Sequence, residues 1–146
     1  MYYVQWNGGI SLEEEYPYTA MTDICWAPYD GPVDVMTVYH VEAYNQEQLM
    51  AAIAKGPTSV TIDADSTDFH YYTSGVISGP ACGTKLDHAV TAVGYGTDAA
   101  TGLDYYLVRN SWGSSWGDNG YVKIAREGDG YGVCGIQEIS VWSMTN

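Results

Sequence analysis

The chain has 146 residues, of which 46% are hydrophobic, so it is large enough for one domain with a buried core. Its 5 basic and 18 acidic residues give a net charge of −13, which repels phosphate backbones and argues against nucleic acid as a partner. No apolar run is long enough to cross a membrane, so no membrane partner is expected. Fourteen tyrosines and five tryptophans suit half-buried strand faces and clefts better than a dry helical bundle.

The first 44 residues contain many turn signals and one predicted strand. Residues 1–6 have the character of the end of an apolar element that begins upstream, and residues 1–35 as a whole are irregular and turn-rich. Alternation of apolar and polar side chains predicts a strand over 36–41.

One helix is predicted, starting after Asn45. Asn45 is a favourable N-cap, Gln48 stands in the capping-box position, and Gly56-Pro57 ends the element. The apolar stripe of this helix is made of Leu49, Met50 and Ile53.

After this helix the pattern changes to strands separated by Gly and Asp clusters. The predicted strands are 58–64, 88–96, 104–110, 120–126 and 136–142. A series of antiparallel strands after one helix indicates an α+β protein with a twisted sheet or partly closed barrel. With no repeat or linker, the chain is expected to be one domain or a piece of one.

The sequence offers no metal or dinucleotide site. No two of the three cysteines have the spacing of a zinc knuckle or a redox pair, and the three histidines show no metal-ligand spacing. Residues 94–99 fit the pattern G-x-G-x-x-A, but a turn and a strand are predicted after them instead of a helix. We therefore expect no metal and no cofactor.

Two polar residues stand at strand ends near each other in the predicted sheet. His88 begins an apolar strand, and Asn110 ends the next strand before a loop rich in Gly and Trp. Taken singly, each has a simpler interpretation: a satisfied, half-buried histidine and a turn-forming asparagine. Together they suggest a base whose second ring nitrogen is held by an amide, with the indole of Trp112 covering the bond.

The segments around His88 and Asn110 resemble the histidine and asparagine motifs of the papain and cathepsin L family. The matching blocks are D-H-A-V-x-A-V-G-Y-G from Asp87 and R-N-S-W-G-x-x-W-G-x-N-G-Y from Arg109. Further matches are Asn7-Gly8-Gly9 to Tyr16-Pro17-Tyr18, residues 75–83, and residues 131–136, so the resemblance covers nearly the whole chain.

The resemblance implies a papain-like fold, mainly the antiparallel, barrel-like right-hand lobe with one or two short helices. Residues 1–146 would form a single partial domain, with 1–30 at the edge of the helical lobe and 31–146 in the β-rich lobe. His88 would be the catalytic imidazole and Asn110 its orienting partner. The implied substrate-binding residues are Thr61, Leu86, Asp87, Trp112, Trp116 and Ile139. Thr61, Leu86 and Ile139 fall at the S2 pocket, which favours an apolar P2 side chain, and Asp87 would contact substrate or neighbouring backbone.

The family's nucleophile block, Q-G-x-C-G-S-C-W, does not occur in this sequence. Cys25 is followed by Trp26, but by position it matches a disulfide cysteine whose partner lies in the upstream lobe. Cys82 and Cys134 match the pair that closes the β-lobe. The resemblance thus implies the C-terminal portion of a thiol endopeptidase, inactive alone, from a lysosomal, vacuolar or secreted protein.

The expected partners are a peptide or protein substrate and the upstream N-terminal part of the same enzyme. Two alternatives stay open. One is a non-catalytic homologue in which the upstream cysteine is replaced and the cleft serves as a binding or structural module. The other is an aromatic-rich β module that binds glycans, suggested only by the Tyr and Trp content.

Overall fold

A computed structural model describes residues 2–145 of the chain. The chain divides into two compact units, one made of Met1–Tyr39 with Ser143–Asn146 and the other of His40–Trp142. Met1, which falls in the apolar segment predicted at 1–6, lies outside the described residues. No helix among the described residues is long and apolar enough to cross a membrane.

The smaller unit is mostly irregular, as its turn-rich sequence predicts. A short helix, α1, spans Tyr2–Trp6, and the strand β1 spans Val35–His40. Between them the chain is held by backbone bonds and by Asn7, whose side chain donates to the carbonyl of Pro28 at 2.8 Å.

The larger unit begins with the predicted helix, α2, at Gln46–Lys55. The Asn45 side chain accepts a bond from the backbone N–H of Gln48, which satisfies one of the N–H groups left free at a helix start. Leu49 and Ile53, on one face of this helix, are buried in the apolar core. A second, four-residue helix, α3, spans Thr67–His70 and was not predicted, because one turn is too short to show a periodic pattern.

The sheet of the larger unit is antiparallel and consists of four whole strands and the first three residues of a fifth. They are β2 (Thr58–Ile62), β3 (His88–Thr97), β4 (Asp104–Arg109), β5 (Tyr121–Ala125) and β6 (Ser140–Thr145). Their spatial order is β6-β2-β3-β4-β5. Buried residues alternate along β2, most of β4 and most of β5, as expected for strands with one face on an apolar core. The α+β class with few short helices is confirmed.

The last strand was predicted at the wrong place. It begins at Ser140 rather than at residue 136, because Val133–Gly135 form a turn of 3₁₀ helix and Gln137 is buried. The Gln137 amide donates to the carbonyls of Gly128 and Gly130, so this segment is held by side-chain bonds instead of a strand ladder. The apolar residues Val133 and Ile136 are buried at a turn, so the sequence here has the apolar pattern of a strand although no strand forms.

Candidate active site

Strand register brings His88 and Asn110 together. β3 and β4 are antiparallel with Thr91 opposite Arg109, and His88 is the first residue of β3, paired with Ile62 of β2. Asn110 follows the last residue of β4, so it lies one diagonal step from His88 on the same side of the sheet. Its backbone N–H donates to the carbonyl of Gly120, which holds this end of the strand in place.

The His88 imidazole is hydrogen-bonded to the Asn110 side chain. Nε2 of His88 lies 2.9 Å from Oδ1 of Asn110, and the same oxygen accepts the backbone N–H of Ser111 at 2.7 Å. An oxygen that already accepts from an N–H fixes the orientation of the amide, so His88 Nε2 must be the donor. Nδ1 is then the ring atom that can take up a proton. The geometry therefore suits a base with one defined working nitrogen.

An aromatic cluster covers this pair. The ring of Trp112 stacks on that of His88, with centroids 5.3 Å apart and planes 27° apart, and it also contacts the ring of His70 at 5.1 Å. Trp116 packs against Trp112 at 5.2 Å and donates its Nε1–H to the backbone carbonyl of His70. Phe69, fully buried, lies against both indoles. Asn110 is only 7% exposed, so water has little access to compete for its bond with His88.

Asp87 was expected to contact either substrate or neighbouring backbone, and in the structure it contacts neighbouring backbone. Its Oδ1 accepts the N–H of Ala64 at 2.9 Å, and its own N–H donates to the carbonyl of Ile62. The buried carboxylate of Asp63 accepts the N–H groups of Lys85 and Asp65 in the same way. The two loops that flank the start of β3 are thus tied to each other beside His88.

Two of the three residues expected at the S2 pocket are in direct contact. Thr61 bonds the carbonyl of Ile139 through both its backbone N–H and its hydroxyl, at 3.1 and 3.2 Å. The Ile139 side chain is 51% exposed. Leu86 is half-buried and packs closely against Gly135. A Cβ atom added at Gly135 would lie only 2.7 Å from Cδ2 of Leu86, so this contact requires glycine.

An open pocket of about 270 Å³ lies beside the His88 ring. Its walls are Ala64, Asp65, His70, Asp87, His88 and Trp112. Asp65 and His70 were not predicted from the sequence. Both lie in or next to α3, and no sequence pattern indicates that this short helix reaches Trp112 and Trp116.

The cysteines divide into a bonded pair and a free thiol. Cys82 and Cys134 form a disulfide, and Cys25 is free and exposed in the smaller unit. Hydrogen bonds from the Tyr3 hydroxyl, the Ala27 backbone and Tyr16 hold the pKa of the Cys25 thiol below its ordinary value. Within residues 2–145, no three His, Cys, Asp or Glu side chains are grouped so that they could hold a metal ion.

Comparison with known proteins gives consistent matches. The sequence model described as papain family cysteine protease matches residues 1–144. The chain is 50% identical to cysteine protease 1 of Oryza sativa subsp. japonica over 133 residues, which are 89% of this chain and 27% of that protein. It is 42% identical to papain of Carica papaya over 141 residues, which are 94% of this chain and 39% of that one.

Solved structures match as well. The bromelain protease from Ananas comosus, solved in complex with the inhibitor E64, superposes with a TM-score of 0.89 at 38% identity, over 98% of this chain and 66% of that chain. The proform of the ragweed pollen allergen Amb a 11, a cysteine protease, gives a TM-score of 0.91 at 32% identity, over 99% of this chain and 44% of that chain. The chain spans from 27% to 41% of the length of the first curated relatives that it matches.

Proposed function

The chain belongs to the papain family of cysteine proteases, and we propose that it supplies the base of a thiol endopeptidase whose nucleophile comes from outside these 146 residues. One observation carries the proposal: His88 donates to the Asn110 carboxamide under the indole of Trp112. This arrangement fixes the ring plane and tautomer of His88 and leaves Nδ1 free for proton transfer. A base of this kind hydrolyses a peptide bond only together with a nucleophile, which therefore has to come from another segment.

None of the cysteines in this chain suits the role of nucleophile. Cys82 and Cys134 are consumed in a disulfide. Cys25 lies in the smaller unit among tyrosines and lacks the flanking residues of the nucleophile block. The thiolate and the glutamine that would donate to the oxyanion are therefore assigned to an upstream segment of the same enzyme. In that arrangement residues 1–30 form the edge of the helical lobe and 31–146 the β-rich lobe.

In the complete enzyme the steps follow from the free Nδ1 of His88. The upstream thiolate attacks the scissile carbonyl carbon and forms a carbon–sulfur bond. The carbon–nitrogen bond breaks as the His88 imidazolium gives its proton to the leaving amine. Water then loses a proton to His88 and attacks the thioester, which releases the carboxylic acid and restores the thiolate. Asn110 accepts the Nε2–H bond throughout and keeps the ring oriented.

We assign the acyl side of the substrate to the surface around Thr61, Leu86 and Ile139. The exposed apolar side chain of Ile139 and the absence of a charged group among these three favour an apolar P2 residue. Trp112 and Trp116 contact substrate on the other side of His88 in this proposal. The disulfide favours an oxidising compartment, so we place the enzyme in a lysosome or vacuole, or outside the cell.

The first test compares the isolated chain with the full-length protein carrying its own upstream segment. The assay is hydrolysis of a fluorogenic dipeptide with an apolar P2, with added thiol, at mildly acidic pH. We expect turnover by the full-length protein and none by the isolated chain. Turnover by the isolated chain that is lost in Cys25→Ala would show that Cys25 is the nucleophile after all. An inactive full-length protein with Ser or Gly at the nucleophile position would instead establish the non-catalytic alternative.

The second test removes the orienting amide. Asn110→Ala in the full-length protein should lower kcat/KM by about 10- to 100-fold, because a hydrogen bond to a charged partner contributes about 1.5–3 kcal/mol. The matched control is Ser115→Ala, an exposed residue of the same loop, which should leave kcat/KM unchanged. Equal activity of Asn110→Ala and wild type would remove the assigned role.

A further inference from the structure

We infer that Asp65 selects a cationic side chain on the leaving-group side of the scissile bond. This inference rests on the proposed peptidase function and adds a residue and a substrate preference to it. It concerns the pocket formed by Ala64, Asp65, His70, Asp87, His88 and Trp112.

The position of the pocket assigns the side of the substrate. His88, which gives its proton to the leaving amine, forms one wall of the pocket. Thr61, Leu86 and Ile139, to which we assign the acyl side, do not line it. A peptide that crosses His88 with its acyl portion on the first surface therefore puts the residue after the scissile bond into this pocket.

The Asp65 carboxylate is held ready at the pocket wall. Its backbone N–H donates to Oδ1 of Asp63 at 3.4 Å, and the preceding N–H, that of Ala64, is fixed by Asp87 at 2.9 Å. Asp65 is exposed, and over residues 2–145 its carboxylate has no hydrogen bond or ion pair. The backbone at Ala64 and Asp65 is thus fixed, while the Asp65 carboxylate is available to a ligand.

The lining of the pocket carries two carboxylates, those of Asp65 and Asp87, and two imidazoles, those of His70 and His88, and none of its residues is Lys or Arg. Both imidazoles lie against the Trp112 ring, whereas the Asp65 side chain is exposed. Trp112 is 37% exposed, so part of its indole is accessible at the pocket wall beside the rings of His70 and His88. The net charge of −13 attracts a cationic substrate from a distance. A carboxylate beside a partly exposed aromatic ring suits arginine best, since its planar group can donate to the carboxylate and contact the ring at once.

The test measures kcat/KM of the full-length protein on peptides that differ only in the residue after the scissile bond: Arg, Gln or Glu. The assay is run at low salt, where interactions between exposed charges are least screened. We expect the order Arg above Gln above Glu. Asp65→Asn should reduce the Arg-to-Gln ratio of kcat/KM by about two- to fivefold, as expected for a solvent-exposed ion pair.

Two controls separate a charge contact from a structural effect. Asp68→Asn removes an equal charge from α3 at a residue that does not line this pocket, and it should leave the ratio unchanged. Asp65→Glu keeps the charge and should retain most of the Arg preference, and added salt should weaken the preference in wild type.

Different results would overturn different claims. Cleavage of the Gln peptide with no preference for Arg, or equal loss of preference in Asp65→Asn and Asp68→Asn, would refute the assignment of Asp65 and leave the peptidase proposal standing. Failure of the full-length protein to cleave any of the three peptides would overturn both.

Discussion

Removing the Cys82–Cys134 disulfide tests how far the β-rich unit depends on a covalent link. The bond joins residues 52 apart in sequence. Closing a loop of that size lowers the entropy of the unfolded chain by about 14 cal/mol/K, which corresponds to about 4 kcal/mol at 25 °C in the chain-entropy model. The predicted loss in the free energy of unfolding for the double variant Cys82→Ala/Cys134→Ala is therefore about 4 kcal/mol.

The disulfide also supports the site. The carbonyl of Cys134 accepts the backbone N–H of Asp63 at 2.8 Å, and Asp63 in turn binds Lys85 and Asp65 through its carboxylate. Loosening Cys134 should therefore reach the loops on both sides of His88. Exchange of the Asp63 and Lys85 amide hydrogens should be faster in the double variant than in wild type.

The assay is urea unfolding of the 146-residue chain followed by tryptophan fluorescence. With an m value of about 2 kcal/mol/M, a loss of 4 kcal/mol lowers the midpoint by about 2 M. The m value should rise as well, because the unlinked unfolded chain is more expanded. Cys25→Ala, an exposed free thiol, is the control and should shift stability by less than about 0.5 kcal/mol. A double variant with an unchanged midpoint and m value would refute the reasoning.

Two further predictions concern polar contacts away from the site. Gln137 is 2% exposed and binds the Tyr106 hydroxyl and two backbone carbonyls, so Gln137→Leu should lower the free energy of unfolding by about 3 kcal/mol by leaving buried polar groups unpaired. The control Gln48→Leu, at an exposed residue, should change it little, and equal urea midpoints for the two variants would contradict this prediction. The ammonium of Lys123, 2.8 Å away, helps to lower the pKa of Asp98 to about 2, so this contact stabilises the fold above about pH 4 and is lost as the pH falls towards 2. The thermal midpoint of Asp98→Asn should therefore fall less than that of wild type between pH 4 and pH 2, and parallel curves would argue against the assignment.

Local signals in the sequence were sufficient to predict the elements whose first and last residues are marked by capping or turn residues. Helix α2 was predicted because Asn45 caps it and Gly56-Pro57 ends it, and both signals act within a few residues. Strand β3 was predicted, over 88–96, because an apolar stretch lies between clusters of Gly and Asp. The start of β6 was misplaced because Gln137 is held by bonds to Gly128 and Gly130, which alternation does not reveal.

The same distinction applies to the site. His88 and Asn110 were placed together because they follow from one strand pairing and one recognised motif. Asp65 is held at the pocket beside His88 by the bonds of its segment to Asp63 and Asp87. His70 is held there by a bond between the Trp116 indole and the His70 carbonyl, which joins residues 46 apart. No spacing rule connects a one-turn helix to an indole at that distance in the chain. The hydrogen-bonded pair of His88 and Asn110 is therefore readable from the motifs, while the charges of the neighbouring pocket depend on how the intervening loops pack.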